Sequence, residues 1–147
     1  MTKSKAPLTM IEQMVMLLVF ALAAALCLQA FVKSDELSEH MEARDRAMVL
    51  CQNVAETLRH FGGDLGGAQM STAEQLGYQC SQGFLYQEFD QDWNPVEDGV
   101  YRLEVWGIPT ELPGLWKAGV SVVDDTDREP GVLFEIEVAW QEVSAHG

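Results

Sequence analysis

Residues 8–61 read LTMIEQMVMLLVFALAAALCLQAFVKSDELSEHMEARDRAMVLCQNVAETLRHF, a run that contains neither proline nor glycine. Because those two residues are the strongest helix breakers, their absence predicts one continuous helix. The first half holds an almost unbroken apolar segment from Met14 to Val32, interrupted by Gln29 alone. The second half, residues 34–61, is charged over most of its surface and carries one apolar stripe.

The apolar half, residues 8–33, has the length of a membrane span, since about twenty apolar residues cross the hydrocarbon core of a bilayer as a helix. Lys3 and Lys5 precede it, and positive charge at this end predicts a cytoplasmic N-terminus and an external C-terminal part. A cleavable secretory signal is the alternative, because residues 22–25 include small side chains that a signal peptidase accepts. Glu12 interrupts the usual passage of such a signal from a basic start to an apolar run.

Glu12 is a candidate functional residue in its own right. A charge in lipid is costly unless it is paired, so a carboxylate within a membrane helix is by default assigned a function. The alternative is an interfacial position at the level of the lipid headgroups, because Glu12 precedes the longest apolar run.

Residues 34–61 predict an amphipathic continuation of the helix. Apolar residues recur there at steps of three and four, with Arg44 as the one interruption. A coiled coil is one use of such a stripe, but about three heptads with a polar break favour packing on the chain's own core. The predicted stripe consists of Leu37, Met41, Met48, Cys51, Ala55 and Leu58.

The remainder of the chain predicts a small antiparallel sheet at about residues 84–140. Residues 64–82 are glycine-rich and polar, and we expect a connecting loop with a short helical turn near 72–76. Four later segments alternate apolar and polar residues between turn clusters, as half-buried strands do. These segments are Phe84–Phe89, Val100–Trp106, Trp116–Val123 and Val132–Trp140. In the last of them, the residues expected to face inward are Val132, Phe134, Ile136, Val138 and Trp140.

A sheet with one apolar face requires a cover, and the stripe of the long helix is the cover that the sequence offers. The predicted fold class is therefore α+β. It consists of a long N-terminal helix, half transmembrane and half amphipathic, packed on a small antiparallel sheet.

Charge is divided unevenly along the chain of 147 residues. Up to Lys33 there are three lysines and one acid, a net charge of +2. From Ser34 onward there are six basic residues and 22 acids, a net charge of −16. So acidic a globular part argues against direct binding of nucleic acid.

Three cysteines occur, of which Cys27 lies in the apolar segment and is expected to be a small side chain facing lipid or protein. Cys51 and Cys80 fall in the part expected outside the membrane, where disulfides persist. A bridge would join the long helix to the loop that follows it. Two unpaired buried thiols are the alternative.

The segment Asp90-Gln-Asp-Trp-Asn-Pro places oxygen-bearing side chains at alternate positions, as the start of an EF-hand loop does. It departs from that motif, with Pro95 at the sixth position and Tyr101 at the twelfth. A looser calcium site is a candidate, beside an ordinary solvated turn; its ligands would be Asp90, Asp92, Asn94 and Asp98. No other cofactor is expected, and no catalytic or phosphate-binding motif is present, so an enzyme is not predicted.

The run Lys5-Ala6-Pro7-Leu8-Thr9-Met10-Ile11-Glu12, with the helix and sheet that follow it, resembles the type IV pilin-like family. It is most similar to minor pseudopilins of type II secretion and of related competence or type IV pilus filaments. The family pattern is a short basic leader and a run close to F-T-L-I-E. Residues 8–12 match that run, with Glu12 at the position of the glutamate.

The resemblance implies a basic leader at 1–7, a filament-core half of the helix at 8–33 and an extracytoplasmic domain at 34–147. It also implies cleavage between Pro7 and Leu8 by a prepilin peptidase, although the family has glycine where this chain has Pro7. In such filaments the glutamate pairs with the freed amine of a neighbouring subunit and sets the register between helices. Without cleavage, Glu12 requires another partner.

The leading hypothesis is a structural minor pilin-like subunit, inserted in the cytoplasmic membrane with its N-terminus inside. It would join or prime an extracellular filament for secretion, adhesion or DNA uptake. The implied partners are other pilin or pseudopilin subunits, the prepilin peptidase and the membrane itself. The alternative is a single-pass anchored binding or sensor domain that does not polymerise.

Overall fold

The computed structural model of the protein describes residues 5–126 and 131–142. The first four residues of the predicted leader therefore lie outside the described part of the chain. The first helix, α1, spans Ala6–Phe61 without a break. By its contacts the chain divides into two units, of which the first ends at Glu42 and the second begins at Ala43.

In the first unit, α1 is a helix whose side chains are all exposed, from Ala6 to Glu42. Within the described residues, α1 is the one helix long and apolar enough to cross a bilayer. The prediction of an N-terminal helix of membrane-spanning length is thereby confirmed. Leu37 and Met41, which the predicted stripe placed on the core, are 56% and 59% exposed.

In the second unit, the rest of α1 is buried along one face against the sheet. The buried residues are Ala47, Cys51, Val54, Ala55 and Leu58. Their spacing of four, three, one and three residues is that of one helix face. The predicted stripe was therefore right at its C-terminal end and wrong at its start. Arg44 is exposed and does not interrupt the buried face, because that face begins at Ala47.

A second helix, α2 (Leu65–Leu76), occupies most of the region predicted to be a loop. Asp64 caps its N-terminus, accepting a hydrogen bond on its side chain from the Gly67 amide at 3.1 Å. Gly77 ends it in the left-handed conformation, at φ 71°. The two glycines of the first turn lower helix propensity, but capping at both ends and burial of one face outweigh that cost. The buried residues are Ala68, Gln69, Thr72 and Ala73.

Within the described residues six strands follow, each antiparallel to its neighbours. The strands are β1 (Gln79–Ser81), β2 (Phe84–Phe89), β3 (Pro95–Val96), β4 (Tyr101–Ile108), β5 (Leu115–Asp124) and β6 (Gly131–Gln141). The sheet runs β1-β2-β4-β5-β6, and the short β3 pairs with β2 beside that path. The four predicted strands correspond to β2, β4, β5 and β6, and the fold is α+β as predicted.

The inner face of the sheet packs on α1 and α2. Leu85 and Phe89 of β2, Leu103 and Val105 of β4, and residues 118, 120 and 122 of β5 are buried there. The indole N–H of Trp140 donates to the Gly63 carbonyl at 2.8 Å and so joins β6 to the end of α1.

The beginning of β6 departs from the predicted alternation. Val132 is 60% exposed, whereas its neighbour Leu133 is 7% exposed and belongs to the core. The register explains this, because Phe134 pairs with Val122 and Val132 pairs with Val123, which leaves Leu133 as an extra residue in a bulge. A bulge reverses the inward and outward positions on its two sides. From Phe134 onward the predicted inward residues pack against the core.

Candidate functional site

The predicted processing point lies in the first turn of α1. Pro7 is the second residue of the helix, where a missing amide N–H costs nothing and the fixed φ of proline is compatible with helix. Thr9 donates to the Lys5 carbonyl from both its amide, at 3.2 Å, and its hydroxyl, at 3.0 Å. The peptide bond between Pro7 and Leu8 is therefore enclosed in helical structure.

Glu12 follows Leu8 by four residues, so the two lie on the same side of α1, one turn apart. Its side chain is exposed and has no hydrogen-bond or ion-pair partner among the described residues of this single chain. The carboxylate is therefore open to a group on a neighbouring helix. The geometry leaves Glu12 available for such a partner.

The apolar segment from Met14 to Val32 presents its side chains on every side of α1. Phe20 and Phe31 are each 73% exposed, and no large apolar side chain of the segment is less than half exposed. So large a continuous apolar surface is not stable in water and requires lipid or other apolar helices. The segment ends in charge, where Lys33 Nζ lies 4.0 Å from Glu36 Oε2.

The disulfide predicted between Cys51 and Cys80 is absent, and all three cysteines are free thiols. The thiol of Cys51 is directed at β6, with Sγ 4.0 Å from the Phe134 carbonyl oxygen, whereas Cys80 lies on β1. These two strands are at opposite ends of the sheet. Four strand spacings separate them by about 19 Å, and a disulfide requires Cα atoms within about 7 Å.

Burial also makes Cys51 chemically inert. Desolvation and the nearby charge of Glu135 raise the pKa of its thiol to about 12. The thiolate, which is the nucleophile and the metal ligand, is therefore scarce at neutral pH. Cys51 is a packing residue of the helix face.

The calcium candidate Asp90 is engaged by its own turn. Asp90 Oδ1 accepts the amides of Asp92 and Asn94, each at 2.9 Å, and Oδ2 accepts the Asn94 side-chain amide at 3.2 Å. The hydrogen bonds from Asn94 lower the pKa of the Asp90 carboxyl below its usual value. Those hydrogen bonds use the oxygen lone pairs that a cation would need.

In the same turn Asp98 and Asp92 do not join Asp90 in a cluster. Across the described residues, no group of three or more His, Cys, Asp or Glu side chains is placed to hold a metal ion. Trp93 of this turn stacks on Tyr101 with ring centroids 4.2 Å apart and planes 9° apart. The turn is therefore a structural one, whose Trp93 packs against the core.

The outer face of the sheet, opposite the helices, carries a groove that the sequence did not predict. It has a volume of about 540 Å³ and lies along β2 and β4. The outward residues that line it are Phe84, Tyr86 and Glu88 of β2 and Arg102, Glu104 and Trp106 of β4. Alternation within each strand indicates which of these residues share a face, but only the pairing of β2 with β4 brings the two sets together.

No protein-family model, no curated protein and no solved structure matches the chain.

Proposed function

We propose that the chain is a structural subunit of the minor pilin or pseudopilin type. It is held in the cytoplasmic membrane by the apolar half of α1, with its N-terminus inside and its sheet domain outside. It then joins or primes a filament for secretion, adhesion or DNA uptake. Its partners are other pilin-like subunits and, before assembly, the prepilin peptidase.

The proposal is supported by the different surroundings of the two halves of α1. Its residues up to Glu42 are exposed although many are strongly apolar, and its residues from Ala47 to Leu58 complete the core of the sheet domain. One unbroken helix thus supplies both an apolar surface for other helices and one wall of the sheet domain, as a pilin-like subunit requires.

In the proposed filament, the apolar side chains of Met14–Val32 leave lipid and pack against the same segments of other subunits. The alanines at positions 21, 23, 24 and 25 permit close approach of helix backbones, which favours helix association in an apolar medium. The unpartnered Glu12 pairs with the amine that cleavage would create at Leu8 of a neighbour. An ion pair buried in this way strongly disfavours any register that leaves one partner alone.

Processing is the first test of the proposal. The protein isolated from a host that expresses the cognate prepilin peptidase is expected to begin at Leu8, having lost residues 1–7. Intact-mass and N-terminal analysis measure this directly. An unprocessed chain in the presence of active peptidase would refute the filament role as stated.

The second test concerns Glu12. We expect Glu12→Ala to reduce incorporation into sheared filaments by more than about tenfold, because a buried amine would be left without its partner. Glu39→Ala is the matched control, since Glu39 is an exposed acid on the same helix. Equal incorporation of the Glu12→Ala variant and the parent chain would contradict the register role.

A single-pass anchored binding or sensor domain is the second candidate, and Pro7 favours it. The family's glycine is absent from the cutting position, and the Pro7–Leu8 bond lies within the first turn of α1. A peptidase would have to unwind that turn before cutting. A chain that stays full length, is monomeric in the membrane and is absent from sheared filaments would establish this alternative.

A further inference from the structure

The outer face of the sheet presents an aromatic surface beside carboxylates. In the strand register, Tyr86 lies directly opposite Glu104, and Glu88 lies directly opposite Arg102. Two residues further along each strand, Phe84 and Trp106 lie level with one another on the same face. The groove between β2 and β4 is therefore aromatic at one end and charged at the other.

At the aromatic end Phe84 is exposed, whereas Tyr86 and Trp106 are half-buried. Phe84 is 60% exposed, although a phenylalanine on a sheet is normally covered. Trp106 rests on Gly119 of β5, because a Cβ built on Gly119 would come within 2.3 Å of the indole ring. A glycine directly opposite the tryptophan thus lets the indole lie against the sheet, which fixes the ring as one wall of the groove.

The charged end has an excess of carboxylates. Arg102 contacts Glu104, with Nε and Oε1 2.6 Å apart, and Asp125, with Nη1 and Oδ2 3.1 Å apart. Glu88 accepts the Gly99 amide on Oε2 at 3.1 Å and has no ion-pair partner among the described residues. Three carboxylates therefore surround one guanidinium, and that guanidinium is held by two of them.

The same sign of charge continues across the face. Glu135 and Glu137 of β6 point outward, and Lys117 Nζ lies 3.2 Å from Glu137 Oε2. The chain as a whole carries a net charge of −14. A second copy of this chain would bring more acid to the groove and would be repelled, whereas a basic partner would be attracted.

We propose that this groove binds an extended basic segment of a different protein, with an arginine or lysine side chain seated against Phe84, Tyr86 and Trp106. A guanidinium or ammonium group is attracted to aromatic faces, and the carboxylates of Glu88 and Glu104 stabilise it from the other end. From residue 84 to residue 88 the groove extends about 13 Å along β2, so it accommodates about four residues of an extended peptide. The proposal holds whether or not the chain polymerises.

The test measures binding of a labelled peptide of sequence GRGRGRG to the full chain in a neutral detergent, by fluorescence anisotropy. The Phe84→Thr/Tyr86→Thr double variant keeps the net charge and the β propensity, and we expect it to weaken binding about fivefold or more. Glu104→Gln is expected to weaken binding by a similar factor. Quenching of Trp106 fluorescence by the peptide, lost in the Trp106→Phe variant, would place the peptide in the groove.

Two matched controls separate the groove from general attraction between opposite charges. Glu111→Gln removes one negative charge in the turn after β4, and Leu112→Thr removes a 65% exposed apolar side chain from the same turn. Both variants are expected to bind the peptide as the parent chain does. Binding weakened equally by these controls would overturn the proposal, and so would equal binding of a GSGSGSG peptide.

Two other occupants are distinguishable outcomes that would also overturn the proposal. Concentration-dependent dimers that the double variant abolishes would show that a second copy occupies the groove. If the peptide does not bind but a neutral oligosaccharide binds saturably, the aromatic side chains serve to stack on sugar rings. If the double variant is unfolded by near-ultraviolet circular dichroism, the single variant Phe84→Thr at the exposed position decides the test.

Discussion

Replacing Leu58 by alanine is expected to lower the free energy of unfolding of the sheet domain by about 3 kcal/mol. Leu58 is fully buried and is among the largest buried side chains of the core. The substitution removes three carbon atoms, worth about 0.8 kcal/mol each. The cavity that remains between α1 and the sheet raises the total to about 3 kcal/mol.

Leu37 provides a matched control on the same helix. It is 56% exposed, so the same substitution removes little surface from a packed environment, and the expected change is below about 0.5 kcal/mol. Both variants have the same change in helix propensity, which cancels between them. The difference between the two therefore isolates the contribution of burial at Leu58.

Urea unfolding in a mild detergent, followed by tryptophan fluorescence, measures the effect. All four tryptophans lie after Glu42, in the second unit, so the signal reports on the sheet domain and not on the apolar helix. With a slope of about 2 kcal/mol per molar urea, the Leu58→Ala midpoint should fall by about 1.5 M at an unchanged slope. Midpoints that fall equally for Leu58→Ala and Leu37→Ala would refute the assigned helix face.

Two further predictions use the same titration. Trp140→Phe removes the indole N–H that donates to the Gly63 carbonyl, so we expect a loss of about 1 kcal/mol. Trp116→Phe is its control, because the buried Trp116 Nε1 has no partner in the described residues; equal losses would contradict the assignment. Burial and Glu135 raise the pKa of Cys51 to about 12, above the unfolded value of 9.0. The protonated thiol therefore stabilises the fold fully below pH 9.0 and loses that effect as the pH rises toward 12. In the Cys51→Ala variant the free energy of unfolding should therefore fall less steeply as the pH rises from 9.0 toward 12. An equally steep fall in the variant and the parent chain would contradict this prediction.

The parts of the fold that follow from local pattern were predictable. The alternation in β4 and β5 reflects a sheet buried on one side, and that pattern is written within each strand. The length of α1 follows from the absence of proline and glycine between residues 8 and 61. These features depend on neighbouring residues alone, so a single sequence suffices to predict them.

The features that were missed depend on contacts between distant residues. Gly66 and Gly67 indicated a loop, yet α2 forms because its caps and its buried Gln69, which accepts the Leu85 amide at 3.0 Å, stabilise it. The bulge at Leu133 is a property of the pairing of β6 with β5. Alternation along one strand does not reveal an extra residue.

The candidate sites divide in the same way. The positions of Pro7, Leu8 and Glu12 in the first turns of α1 follow from the sequence, and their roles stay predictions. The prediction of a disulfide between Cys51 and Cys80 was wrong. The strand order separates the two cysteines, and the sequence spacing of the cysteines does not reveal that order. The calcium site was not supported because the turn itself satisfies Asp90.

The contact between Trp140 and Gly63 joins residues 77 positions apart in the sequence, and it has a consequence for biogenesis. β6 emerges from the ribosome after the rest of the described sheet and is also one of the strands against which α1 is buried, so the domain cannot close while its early residues are made. Contacts of such long sequence separation are slow to form. During synthesis the Cys51 face of α1 is therefore uncovered, and a holdase chaperone has an apolar surface to bind until Trp140 is made.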